Sequence, residues 1–300
     1  MTFFALLSFA ASFVNGALGY GYSSISTPLA LLVLANRVVN PAYVLLEAIV
    51  NTVMVALSGR QNLKTTFRRA LPIMVGVAPA AIGGSFILAT LATSAPNYAK
   101  FIVYAAILPL ILLQAAGIRR AIKKEAVTGV PLGVGIGLLY SITTISGPPI
   151  ALFWNNQGMK KGEFKAAIAQ VRITESYITC ISYYFLGLFG ASVAGTSAMQ
   201  LFYIIGPPAA IGLPLGYYAI KRLNVETFRR IAMSFDAWIV SYGLTRVLIS
   251  LFNLNVNIAN LLFAAFAAIS AVLLYRYFRK EKPVLQEARP PLARSSDSTR

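Results

Sequence analysis

The sequence predicts an all-α protein that crosses a membrane many times, built as two related halves with one extra helix at the C-terminus. Three observations carry this. Apolar stretches near the roughly 20 residues that span hydrocarbon recur along the 300-residue chain. Hydrophobic residues make up 57% of it, mean hydropathy is +0.70, and charged residues are only 12%, about half the share of a soluble domain. Two stretches, Asn15–Pro28 and Tyr140–Pro149, interrupt apolar segments with glycines, prolines and hydroxyls. Landmarks also recur: PAAIG at Pro79–Gly83 and Pro208–Gly212, glutamates at Glu47 and Glu175, and the two breaks themselves, at offsets of 129, 128 and 121 positions.

Composition removes several function classes. The net charge is +17. The basic residues sit in short loops and a tail, where they orient the chain by the positive-inside rule, so nucleic acid is not an expected partner. Cys180 is alone, which excludes an internal disulfide and a cysteine-built metal site. There is no histidine, the commonest general base and metal ligand. No cofactor and no metal are expected. The N-terminus lacks the basic n-region of a cleaved signal, so none is expected.

In order, Thr2–Leu34 is a broken apolar segment, Asn36–Pro41 a short turn, and Ala42–Leu57 a helix carrying Glu47 and Asn51. Ser58–Arg69 is a basic loop, Ala70–Leu91 a span, Thr93–Asn97 an uncharged turn, and Tyr98–Gly117 a span. Arg119, Arg120, Lys123 and Lys124 make the next basic loop. The plan then repeats. Val127–Asn155 holds the central break, Asn156–Lys165 is a basic loop, and Ala166–Leu188 is a helix bearing Arg172 and Glu175. Gly190–Ser197 is a turn, Met199–Ile220 and Ile231–Leu251 are spans, and Lys221 and Arg222 lie between them. Ile258–Tyr275 is a last span. The expected units are residues 1–125, 126–252, an added helix over 253–278, and a disordered basic tail over 279–300.

Placing basic loops in the cytoplasm gives Val127–Asn155 both ends on one side, and its roughly 29 residues are too few for two full crossings. A re-entrant hairpin fits, with its tip at Thr143–Pro149; the alternative, each broken segment as one kinked full span, forces at least one basic loop to the outside. The first half then enters and leaves from the opposite face. The halves form an inverted-topology repeat, a plan of secondary transporters, with the tips meeting near the midplane. The C-terminus is expected in the cytoplasm, the protein multi-pass in the cell membrane, with homo-oligomers as a further expectation.

Two glycine- and proline-broken segments opening each half, the second ending in Ser146-Gly147-Pro148-Pro149, resemble the TauE/SafE sulfite exporter family of permeases over roughly Ala5–Ile249. Gly19-Tyr20-Gly21-Tyr22-Ser23-Ser24 stands where that family has a glycine run. The resemblance implies transport of small anions such as sulfite, organosulfonates or small carboxylates. It also implies site roles for Gly19, Gly21, Pro28, Ser146, Gly147, Pro148 and Pro149.

The residues add chemistry of their own. The breaks free backbone N–H groups, and half-helix N-termini carry partial positive charge. Ser23, Ser24, Ser26, Thr27, Thr143, Thr144 and Ser146 supply hydroxyl donors. Taken singly, each of these side chains is expected to bond its own helix backbone, and only the cluster points to a ligand. Neither tip contains a lysine or arginine, so dipoles and hydroxyls are expected to hold the anion. Arg172 and Glu175, three apart, share a helix face and can pair, and both are candidates for coupling or for lining the cavity, although Arg172 is also close enough to the loop to snorkel. Glu47 and Glu175 are candidate proton carriers coupling transport to the proton gradient, with Asn51 lining the same cavity. Asp236 and Arg246 read as structural, paired or snorkelled. Gly76, Ala80, Gly83, Gly84, Gly212 and Gly216 read as close helix contacts. The alternative function is an anion channel of the same architecture. An intramembrane enzyme lacks its acid–base residues, and a passive scaffold has no use for two hydroxyl-rich breaks.

Overall fold

The structure is a computed structural model that describes residues 1–116, 125–154, 159–193, 195–220 and 225–287. The expected basic residues Arg119, Arg120, Lys123, Lys124, Lys221 and Arg222, positions 156–158, and the tail from 288 lie outside the described residues. Among the described residues there are eleven α-helices: α1 Thr2–Leu18, α2 Tyr22–Val33, α3 Asn36–Leu57, α4 Arg60–Ser94, α5 Pro96–Ala115, α6 Glu125–Thr143, α7 Gly147–Trp154, α8 Lys161–Phe185, α9 Ala198–Ala219, α10 Val225–Phe252 and α11 Val256–Glu287. Six of them (α3, α4, α6, α9, α10 and α11) are long and apolar enough to cross a membrane.

Both expected breaks are present. Gly19 ends α1 at φ 88° and Gly21 precedes α2 at φ 114°, left-handed conformations that cost a residue with a Cβ. The second break turns at Thr144, which holds φ 62° without being glycine. The Thr143 hydroxyl accepts from the Ile145 N–H at 3.0 Å and so ties the turn locally. Pro148 and Pro149 fall in the first turn of α7, where their missing N–H groups would have had no helical partner. The prolines therefore start the second half-helix as much as they end the first.

Several expected loops are helical. Asn36–Pro41 is the first part of α3, because a proline removes only the bond from its own nitrogen. Ser58–Arg69 is mostly the start of α4. Gly190–Ser197 contains a two-stranded hairpin, Ser192–Val193 paired with Thr196–Ser197. The last helix runs past Tyr275 to Glu287.

Packing pairs helices from opposite halves. α6 lies along α4, and α1 lies along α9. Small residues set the approach. A Cβ on Gly133 would strike the Ile73 carbonyl, and one on Gly216 would strike the Phe13 carbonyl. Gly76, Gly84 and Gly212 make similar contacts, whereas Gly83 meets nothing within 4 Å. α5 packs on α10, α3 on α8, and α2 on α10. Swapping the halves (α1 for α6, α2 for α7, α3 for α8, α4 for α9, α5 for α10) carries each of these pairings onto one that is also present, α2 on α10 becoming α7 on α5.

The helix ends locate the broken segments. Arg69 near the start of α4 pairs with Glu125 at the start of α6 at 2.7 Å, and Gly162 at the start of α8 sits against Asn62. The segment from α6 to α8 thus begins and returns at one end of α4. At the opposite end, Leu88 of α4 and Tyr183 of α8 share an apolar cluster, so α5 and α9 both start there. Ser8 of α1 donates to the Ile205 carbonyl in the first half of α9, at 2.7 Å. Leu31, near the end of α2, accepts from Lys100 in the first turns of α5, at 2.5 Å. The α1–α2 segment therefore leaves from and returns to that other end.

Candidate functional site

The two breaks touch. The hydroxyls of Thr27 and Thr144 are 2.8 Å apart, and Gly147 faces the Tyr20 ring so closely that a Cβ would come within 2.8 Å of the tyrosine Cβ. Asn40 of α3 donates to the Ile142 carbonyl just before the second break. Lys165 of α8 donates to the Gly16 carbonyl, 3.1 Å away, beside the first break. Each tip is thereby held by a helix of the other half.

Behind this contact lies a buried ionic cluster. Arg172 is 1% exposed and does not snorkel. Its Nη2 meets Glu47 Oε1 at 2.5 Å, its Nη1 donates to Asn15 Oδ1 at 2.8 Å, and its Nε is 3.7 Å from Glu175 Oε1. Ser146 donates to that same Glu175 oxygen, which joins the second tip to the cluster. Asn15 lies in the last turn of α1 and joins the first. One guanidinium thus touches α1 and α3 and, through Glu175, the second break. The expectation that no cation serves the tips holds for the tips' own sequence, but α8 brings one in from the side.

The other expected residues divide. Ser24, Ser26, Thr143 and Thr144 bond nearby backbone, donating to the carbonyls of Gly21 (3.2 Å), Tyr22 (2.5 Å), Leu139 (2.6 Å) and Thr143 (2.6 Å). Ser23 is buried beside them, and the Pro28 carbonyl accepts from Tyr104 at 2.8 Å. Gly19 and Gly21 shape the first turn, and Pro148 and Pro149 start α7. Asn51 donates to the Arg172 carbonyl at 3.2 Å and to Ser176 at 3.3 Å, so it fastens α3 to α8. Ser146, through Glu175, and the facing pair Thr27 and Thr144 reach beyond their own segments.

Two cluster residues were not singled out as site residues. Asn15 is the only amide on an otherwise apolar α1, one turn before its break, and that was the available signal. The Tyr140 hydroxyl faces Glu47 and Glu175. Asn15 Nδ2, Tyr140 OH, Arg172 Nε, Glu47 Oε2 and Glu175 Oε2 are buried with no hydrogen-bond partner among the described residues. Donors and acceptors left unpaired together in one place can be satisfied by water or by a polar guest. By contrast, a cavity of about 490 Å³ between α3 and α9 is lined by hydrocarbon, Leu46, Val50 and Leu213 among others, and holds none of the expected site residues.

A family model described as Sulfite exporter TauE/SafE matches residues 4–243. The chain belongs to the TauE/SafE family. It is therefore a multi-pass membrane transport protein. The match takes in both broken segments and the Arg172 cluster of this TauE/SafE chain, and it ends within α10, leaving α11 outside. α11 packs mainly on α10, with few of its residues buried. No match was found among curated proteins or among solved structures.

Proposed function

We propose that this chain carries small sulfur oxyanions, sulfite or an organosulfonate, or a small carboxylate, through the contact of its two tips, with Arg172 as the anion's partner. The observation that carries the reading is a fully buried arginine linked to both breaks. The chain's halves are taken as an inverted repeat, each opening with a re-entrant hairpin. Support comes from packing that survives exchange of the halves and from broken segments that return to opposite ends of the bundle.

The charge balance gives a mechanism. One guanidinium faces two carboxyls, and a buried net charge is costly. One proton on the pair makes the cluster neutral at rest. An oxyanion can replace a carboxylate at Arg172 only if that carboxylate is neutralised, so each monoanion bound here draws in one further proton. Glu175, whose Oε1 is the more distant of the two carboxylate contacts to Arg172, holds the resting proton, and Glu47 takes the further one as the anion replaces it. Hydroxyls and N–H groups at the breaks complete the oxyanion's hydrogen bonds.

The test is counterflow of sulfite, a sulfonate and a small carboxylate in liposomes containing the purified protein. Saturable exchange, and uptake driven by an inward proton gradient, are expected for at least one of them. Flux that rises linearly with concentration and ignores the proton gradient would show a channel instead.

A further inference from the structure

Asp236, in the middle of α10, is wholly buried and neither of its carboxyl oxygens has a hydrogen-bond partner among the described residues. It was expected to be paired or snorkelled and is neither. Arg246, its expected companion, lies over the Tyr242 ring at 4.8 Å. The Asp236 carboxyl lies beside the Ser24 hydroxyl of α2, three residues after Gly21, at the first break. Met233, Ala237 and Val240 on the same helix are buried around it.

Among the described residues no cation reaches it. On α10, Arg230 donates to the Ala115 carbonyl at 3.1 Å and stacks on Tyr277, and Arg229 lies two turns away. From α5, Lys100 is committed to Leu31 and Tyr104 to Pro28. From α2, Tyr22 bonds Ser8 at 3.0 Å. α1 contributes no ionisable side chain. From α11, Tyr277 bonds Thr227 at 2.9 Å, while Tyr275, Arg276 and Arg279 are exposed. An ionised carboxylate without a partner costs several kcal/mol in such a place. The group is therefore stable there as the acid and can become a carboxylate only when water reaches it.

We propose that Asp236, with Ser24, is a second proton-binding site, set on the first hairpin and separate from the Arg172 cluster. It gains a proton from water on one side of the membrane and loses it to water on the other as that hairpin opens. The inference rests on the transport reading above. It alters the stoichiometry: one proton accompanies the anion at the Arg172 cluster and a second travels on Asp236. A monoanion then moves with one net positive charge.

The test uses full-length protein in sodium-free liposomes with potassium and valinomycin setting the potential, and sulfite or whichever anion exchanges as probe. Wild type should accumulate the anion about tenfold more for each ~59 mV of inside-negative potential. Asp236→Asn, isosteric with the acid, should keep saturable counterflow and pH-driven uptake but lose the response to potential. The proposal is overturned if wild type ignores the potential, if its response requires sodium, or if Asp236→Asn responds as wild type does. Should that variant not fold, Asp236→Glu keeps the acid and must keep the response with a displaced pH profile; a wild-type profile overturns the proposal. Absence of saturable exchange in wild type would sink the transport reading itself, a different result.

Discussion

Replacing Gly147 by alanine adds a single methyl to the place where the two tips meet. That carbon would sit 2.8 Å from Tyr20 Cβ, 2.9 Å from Cδ2 and 3.1 Å from Cγ. Carbon atoms are comfortable at about 3.5–4.0 Å, so the overlap is roughly 0.5–1 Å on three atoms at once. Tyr20 is 1% exposed and its Cβ is anchored to the backbone, so it cannot simply swing aside. Overpacking of this kind costs about 1–3 kcal/mol. If the strain falls on the state in which the tips touch, transport should drop about 5- to 150-fold while the helices still insert. Counterflow rate and thermal unfolding in detergent measure the two parts. Shortening the opposing ring, as in Tyr20→Ala combined with Gly147→Ala, should recover part of the loss, since residues in contact couple. A Gly147→Ala protein with wild-type flux and wild-type stability would refute the claim that this contact belongs to the transport cycle.

Three other outcomes are expected. Glu47→Gln combined with Glu175→Gln, which leaves no carboxyl at Arg172, should flatten the dependence of uptake on outside pH, which in wild type rises as pH falls because a proton enters with the anion; an unaltered profile removes this pair as the acceptor. Arg172→Lys keeps the charge but cannot span Glu47 and Asn15 with a planar fork, so apparent affinity should fall at least tenfold in equilibrium binding. Thr27→Val removes the hydroxyl contact between the tips and should cost about 1 kcal/mol, read as a lower melting temperature.

Much of the architecture was legible because its causes are local. Glycines that must take positive φ, prolines placed to begin a half-helix, and long apolar runs all announce themselves in one dimension. The site was half legible. Its hydroxyls were visible, but most turned out to bond nearby backbone. For Arg172 the sequence leaves two readings level, lining the cavity or snorkelling to a loop expected to end at Lys165; α8 begins at Lys161 instead, which sets Arg172 near the middle of a 25-residue helix and buries it. Asn15 was passed over because one amide in an apolar helix carries little weight until the fold shows what it faces. Asp236 and Arg246 read alike from the sequence, as structural groups that are paired or snorkelled; the fold separates them by burying Asp236 and laying Arg246 over Tyr242.

The swapped pairing of the halves bears on how the protein is made. α1 finds its main mate in α9, about 200 residues later in the chain, and at roughly 5–20 residues per second the ribosome needs about 10–40 seconds to supply it. Throughout that interval the nascent first helix, with Gly16 and Asn15 uncovered, must be sheltered by lipid or by the insertion machinery. A half-length product released early would lack the surface that completes it, which makes it a ready target for quality-control proteolysis.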